Sequence, residues 1–126
     1  MTKYIQLICK VADEPRSEQY QKDAKAYLEK KYNDITITIM TPNSIIENYP
    51  KFMNTGKLTN EKCLAICIYN FVKRKIQDVD ISIVALWNLP DSPGAMLEHR
   101  IAKQLGIPIE VLTYYELYGK DEDGNL

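Results

Sequence analysis

The stretch SPGAMLEHRIAKQLGIPIEVL, residues 92–112, carries the most chemically pointed side chain of the protein, Glu98. Ser92-Pro93 is a good helix start, with Ser92 as N-cap and Pro93 at the first helical position. Glu98 falls six positions past that cap, too deep to be a capping-box carboxylate, which belongs at the third position. At about 100° per residue, Ile101, Ala102 and Leu105 all lie within about 60° of Glu98, whereas His99, Arg100, Lys103 and Gln104 point away. The glutamate therefore stands inside an apolar stripe. A carboxylate there is hydrogen-bonded, paired, or raised in pKa by desolvation. Those conditions also produce a nucleophile or a general acid–base. The competing reading is a glutamate that hydrogen-bonds a neighbouring loop or subunit and only braces it, and the residues alone leave both open. His99 is turned about 100° from Glu98 on the helix, so the two form no ready dyad, and it reads as an exposed or interface histidine.

The elements that must position Glu98 follow from the hydrophobic patterning. Tyr4 to Cys9 is short, apolar and strand-like. Pro15 and Ser17 mark a loop and a helix start, and Tyr20, Ala24, Tyr27 and Leu28 then fall at helical spacing to about Tyr32. Asp34 to Met40, DITITIM, alternates and is β-branched, so a strand is expected there, ending at Thr41-Pro42. Residues 43–58 are the least regular; a short turn of helix before Pro50 and a loop through Asn54-Thr55-Gly56 are expected. A longer helix should begin at Thr59 and reach about Gln77, with Leu64, Ile68, Phe71 and Val72 as its apolar stripe. Asp80 to Leu86 is a continuous hydrophobic run, typical of a strand buried on both faces of a parallel sheet. Pro108 to Thr113 is the last strand. The β-α-β-α-β-α-β order predicts right-handed crossovers. The expected fold is a three-layer, flavodoxin- or Rossmann-like α/β domain: a four-stranded parallel sheet of order 2-1-3-4 with helices on both faces. Ligands of such sheets bind beyond the carboxyl ends of the strands, near the switch between strands 1 and 3. Lys10 to Arg16, Thr41 to Asn48 and Trp87 to Glu98 should then surround one crevice. Trp87 and Asn88 leave strand 3 there: Trp87 would stack on a base or pack on a neighbouring helix or subunit, and Asn88 would bond a sugar or base or shape the turn.

Bulk properties narrow the field of functions. The 126 residues fit one domain, taken as residues 1–118 with a polar tail over 119–126. Hydrophobic content of 45% and charged content of 26% argue against wholesale disorder. A net charge of −1 with dispersed basic residues argues against nucleic acid as an obligate partner; Lys73-Arg74-Lys75 reads as a solvated helix face rather than a binding patch. Cys9, Cys63 and Cys67 form no CxxC pair, and one histidine is present, so no metal and no cofactor is expected and the thiols read as small buried residues in a reducing compartment. The apolar run of MTKYIQLICK is too short for a signal peptide, no segment is long enough to span a membrane, and a cytoplasmic protein is expected. Tyr114, Tyr115 and Tyr118 cluster after the last strand, and exposed aromatics of this kind favour a homo-oligomer.

DVDISIVALW followed by SPGAMLEHRIAKQLGIPIEVL resembles the C-terminal half of the nucleoside 2-deoxyribosyltransferase-like superfamily. In that pattern an Asp opens a strand, a Gly-small-x-x-Glu motif opens the next helix, and A-x-x-x-G-[IK]-P leads into the following strand. Asp80, Gly94, Glu98, Ala102, Gly106 and Pro108 match in order and spacing. A small bacterial and phage branch, with a recurrent Trp and a Ser-x-Gly-Ala-x-x-Glu segment, is similar at Trp87, Ser92, Gly94, Ala95 and Glu98. The likeness covers roughly residues 76–113. It implies a nucleoside- or nucleotide-processing protein that cleaves or transfers at an N-glycosidic bond, with Glu98 attacking the anomeric carbon, and a site commonly completed across a dimer. It also implies that Gly94, at the helix N-terminus, permits close approach of an anionic group. Two departures stand out. Ser92 occupies the place of an Asp that grips substrate in the family, with Asp91 one position further out. The first loop, CKVADEPRSEQY, has none of the glycine of the family's Gly-Pro-aromatic segment, which leaves Asp13, Glu14 and Arg16 as stand-ins. Two other functions fit the same sequence: a non-catalytic nucleotide binder, sensor or sequestering protein using the same crevice, and an oligomeric interaction domain with no small-molecule site.

Overall fold

The computed structural model describes residues 3–33, 36–50 and 56–126. Four strands, β1 (Lys3–Ile8), β2 (Ile37–Met40), β3 (Ile81–Leu86) and β4 (Ile109–Leu112), pair in parallel in the order β2-β1-β3-β4. This is the order expected from the alternating pattern. Asp34 and Ile35, the first residues of DITITIM, and Asn54-Thr55 of the expected loop lie outside the described residues.

The helices are α1 (Ser17–Lys31), α2 (Pro42–Glu47), α3 (Asn60–Ile76), α4 (Pro93–Gln104) and α5 (Tyr114–Tyr118). α1 starts without a side-chain cap, whereas the helices of the two later crossovers each start where a side chain caps them. The Thr41 hydroxyl accepts from Ser44 N–H, that of Thr59 from Lys62 N–H, and that of Ser92 from Ala95 N–H. These bonds satisfy amide groups that the helix itself leaves without acceptors.

Alternation along the central strands sends side chains into two cores. Ile5 and Leu7 of β1 join Val84 and Leu86 of β3 beneath α1, with Tyr20, Ala24 and Leu28 above them. Ile8 joins Ile81, Ile83 and Ala85 on the other face, covered by Ile66, Cys67 and Phe71 of α3 and by Ala95 and Ala102 of α4. The sheet is thus sandwiched by helices, and the direction of crossover reverses between β1 and β3.

Two details of helix facing differ from the reading of the sequence. In α3 the buried residues are Ile66, Cys67 and Phe71, whereas Leu64, Ile68 and Val72 are only half-buried. The cause is a polar clamp. Gln6, fully buried in β1, donates from Nε2 to the Cys67 carbonyl at 2.9 Å and accepts from Asn70 Nδ2 at 2.7 Å. Arg74 in turn donates to Asn70 Oδ1 at 2.6 Å. A buried amide must find such partners, and this network rotates the Cys67 side of the helix inward. In α4, Leu105 is the C-cap and 37% exposed, beyond the end of the buried stripe.

Candidate functional site

The carboxyl ends of β1, β2 and β3 open into a cavity of about 620 Å³. Its floor is built by Cys9, at the end of β1, and by Ala95 and Glu98 of α4. Its walls come from Pro42, Asn43 and Ile46 of α2 and from Cys63, Leu64 and Cys67 of α3. A second cavity of about 430 Å³ lies between α2 and α3 and is lined by Asn70, Lys73 and Arg74 among others. None of the residues singled out for chemistry reaches it.

Six of the eight expected site residues line the first cavity: Lys10, Asp13, Asp91, Ser92, Gly94 and Glu98. The other two do not. Trp87 turns to the opposite face of the sheet, edge-on to Tyr20 and Tyr114 with ring centroids 4.9 and 5.0 Å away. Asn88 is buried, and its Oδ1 accepts the backbone N–H of Lys10 at 3.1 Å, tying the end of β3 to the end of β1. Its Nδ2 is buried without a hydrogen-bond partner among the described residues.

Glu98 is 8% exposed and lines the cavity, and its carboxyl group makes no hydrogen bond or ion pair among the described residues. Of the three states open to a carboxylate in an apolar stripe, this is the third. Burial pushes its pKa up to about 8, because the charged form loses hydration with nothing to replace it. At neutral pH only about a tenth of the free protein then carries the charge. Cys9 is raised to about 12, first by burial and then by the Glu98 charge, and Cys67 is raised by the same two causes. All three cysteines are free. The two buried thiols stay protonated and act as small, polarisable packing around the glutamate.

Gly94 opens the upper wall. A Cβ built there would sit 3.5 Å from Leu64 Cδ1, an ordinary contact, so its bare backbone leaves room in the cavity rather than relieving a clash. Asp13 lies in the glycine-free first loop with φ of 59°. It adopts the left-handed conformation that aspartate tolerates better than most residues.

The N-terminal half of α3 was not foreseen as part of the site. A signal for it existed: every crossover helix of a parallel sheet starts at the carboxyl edge, so α3 must begin beside the crevice. Thr59 marked that start. The irregular sequence between β2 and α3 obscured it.

Glu98 is the only buried acidic side chain among the described residues. Asp13, Glu47, Glu61 and Asp91 line the cavity while remaining exposed, which puts them at its mouth. Lys10 is the one basic residue lining it, among the described residues. The same residues hold no cluster of three His, Cys, Asp or Glu side chains of the kind that holds a metal ion. No described helix is long and apolar enough to cross a membrane. Comparisons with protein-family models, with curated proteins and with solved structures found no match.

Proposed function

We propose that this protein cleaves or transfers at the N-glycosidic bond of a nucleoside-type substrate, with Glu98 as the nucleophile. The observation that carries the reading is one carboxyl group, 8% exposed and without a partner, on the floor of a cavity of about 620 Å³ at the strand switch. A cavity of that size accommodates a sugar and a base. A desolvated carboxylate is a stronger nucleophile than a hydrated one, and covalent capture of the sugar splits a difficult displacement into two easier ones. The resemblance of residues 76–113 to the 2-deoxyribosyltransferase-like pattern supports the same role for Glu98. Lys10, Asp13, Asp91, Ser92 and Gly94 are then the groups that bind and orient substrate.

Glu98→Gln keeps the shape and removes the nucleophile. Product release from a panel of nucleosides and nucleotides, followed by chromatography, should fall by more than about 10³-fold in this variant. Because the nucleophile must be ionised, kcat/KM of the parent protein should rise with pH through about 8. A profile that falls above that pH would instead make Glu98 a proton donor. Retention of turnover in Glu98→Gln would end the reading altogether.

The protonated state of Glu98 at neutral pH also favours a second reading, a nucleotide-binding or sequestering protein that uses the cavity without chemistry. A ligand that raises the melting temperature and is recovered unchanged supports it. A cytoplasmic homo-oligomer belongs to the same proposal, and sedimentation analysis tests the association. The exposed apolar residues available for it include Met96, Leu97, Val111 and Tyr115.

A further inference from the structure

We infer that the favoured substrate is a nucleoside whose base carries a positive charge at the glycosidic nitrogen or on the conjugated ring, such as a pyridinium or N7-alkylated purine nucleoside, and that a 5′-phosphate is disfavoured. The inference rests on the N-glycosidic reading of the site.

Charge at the mouth is the first support. Asp13, Glu47, Glu61 and Asp91 face the opening and Lys10 alone opposes them among the described residues. The N-termini of α2, α3 and α4 also border the cavity, and each contributes up to roughly half a positive charge. The mouth keeps an excess of roughly one to two negative charges after those contributions. Field lines from a mouth of one sign focus into a low-dielectric cleft. A cation is drawn in, a phosphate dianion is repelled, and a neutral nucleoside feels little.

The chemistry of departure is the second support. Departure of a neutral base from a sugar is eased by delivering a proton to it, and glycosidases use a second, perturbed carboxyl group for such protonation. Here Glu98 is the only buried acidic side chain among the described residues. A cationic base needs no such donor. A Glu98 oxygen bonds to C1′ as the C1′–N bond breaks, and the electron pair of that bond neutralises the ring, so the base leaves uncharged. Water then attacks C1′ of the glycosyl ester, releasing the free sugar, returning Glu98 as carboxylate and giving one proton to solvent.

The third support is Glu98 itself. It sits unpartnered at the cavity floor, and a cation held nearby favours its charged form. The substrate that needs the nucleophile thereby ionises it.

The test compares nicotinamide riboside and 7-methylguanosine with guanosine, and each with its 5′-monophosphate, measuring binding by calorimetry and product by chromatography at low and high salt. Cationic nucleosides should bind and turn over about tenfold or more better than guanosine at low salt, with the margin shrinking as salt rises. The 5′-monophosphates should bind about tenfold more weakly than their nucleosides. Asp91→Asn and Glu61→Gln, checked for native melting, should narrow the cation preference severalfold. Equal or tighter binding of the monophosphates, or a preference untouched by salt and by these substitutions, overturns the inference. Glu98-dependent cleavage of guanosine in preference to the cationic nucleosides also overturns it and leaves the N-glycosidic reading standing. Salt-sensitive binding of the cations with no product from any substrate keeps the charge preference and removes the cleavage.

Discussion

Glu98 couples stability to pH as well as lining the cavity. Its pKa in the folded chain is about 8 against an ordinary 4.5, so between those values the native state holds a proton that the unfolded chain has released. Stability from this group is complete below pH 4.5 and declines as pH rises toward 8. The penalty at pH 9 has a ceiling of about 5 kcal/mol, which water reaching the cavity lowers. Glu98→Gln should therefore be more stable than the parent at pH 9 and nearly equal to it at pH 4, which urea unfolding at the two pH values measures. If the parent is the more stable at pH 9, the carboxylate is not desolvated. Gly94 gives the complementary case. Alanine fits against Leu64 without a clash and suits a helix better by about 0.5–1 kcal/mol. Gly94→Ala should melt at or above the parent temperature, yet bind ligand at least several-fold more weakly because its methyl group enters the cavity. The role of Glu98 in an apolar stripe was legible from spacing alone. Its lack of a partner was not, because that depends on what β1 and α3 place opposite it.

At the scale of elements, α4 is held at both ends by local chemistry. Ser92 and Pro93 start it. At its other end Gly106, with φ of 72°, donates to the Lys103 carbonyl at 3.1 Å and Ile107 donates to the Ala102 carbonyl at 3.0 Å. These are the two bonds of a Schellman motif, closed by burial of Ile107. Gly106→Ala should cost about 1 kcal/mol in chemical unfolding, because the added Cβ resists positive φ. An unchanged midpoint would show that the turn relaxes. Both ends of this helix were written in its sequence. The facing of α3 was not, since the Gln6 amide that turns Cys67 inward lies 61 positions away. Periodicity sees only the residues of the helix itself.

Across the whole molecule the two faces of the sheet divide the labour. The face of α3 and α4 carries the cavity. The face of α1 and α5 carries an aromatic cluster in which Trp87 meets Tyr20, Tyr114 and Tyr118. Tyr118 also donates to Asp23, binding α5 to α1. Of the expected row of exposed tyrosines after β4, Tyr114 and Tyr118 are therefore half-buried, with Tyr115 at 57% the exposed member. Edge-to-face pairs add roughly 0.5–1.5 kcal/mol each to the area they bury. Trp87→Leu should lose about 3 kcal/mol of stability, measured by urea unfolding, while ligand affinity at the cavity stays within about twofold of the parent. A selective loss of affinity would place the indole in the site. Sequence by itself determined the element order, the strand order and the helix that bears Glu98, because these follow from hydrophobic period, cap chemistry and the handedness of crossovers. Only the tertiary structure decided which way Trp87 and Cys67 turn, that Cys9 and Cys67 stand near Glu98, and that exposed carboxylates line the mouth of the cavity. Those outcomes come from packing between residues remote in the chain, where one buried amide or one strand's alternation selects a face that no local pattern records.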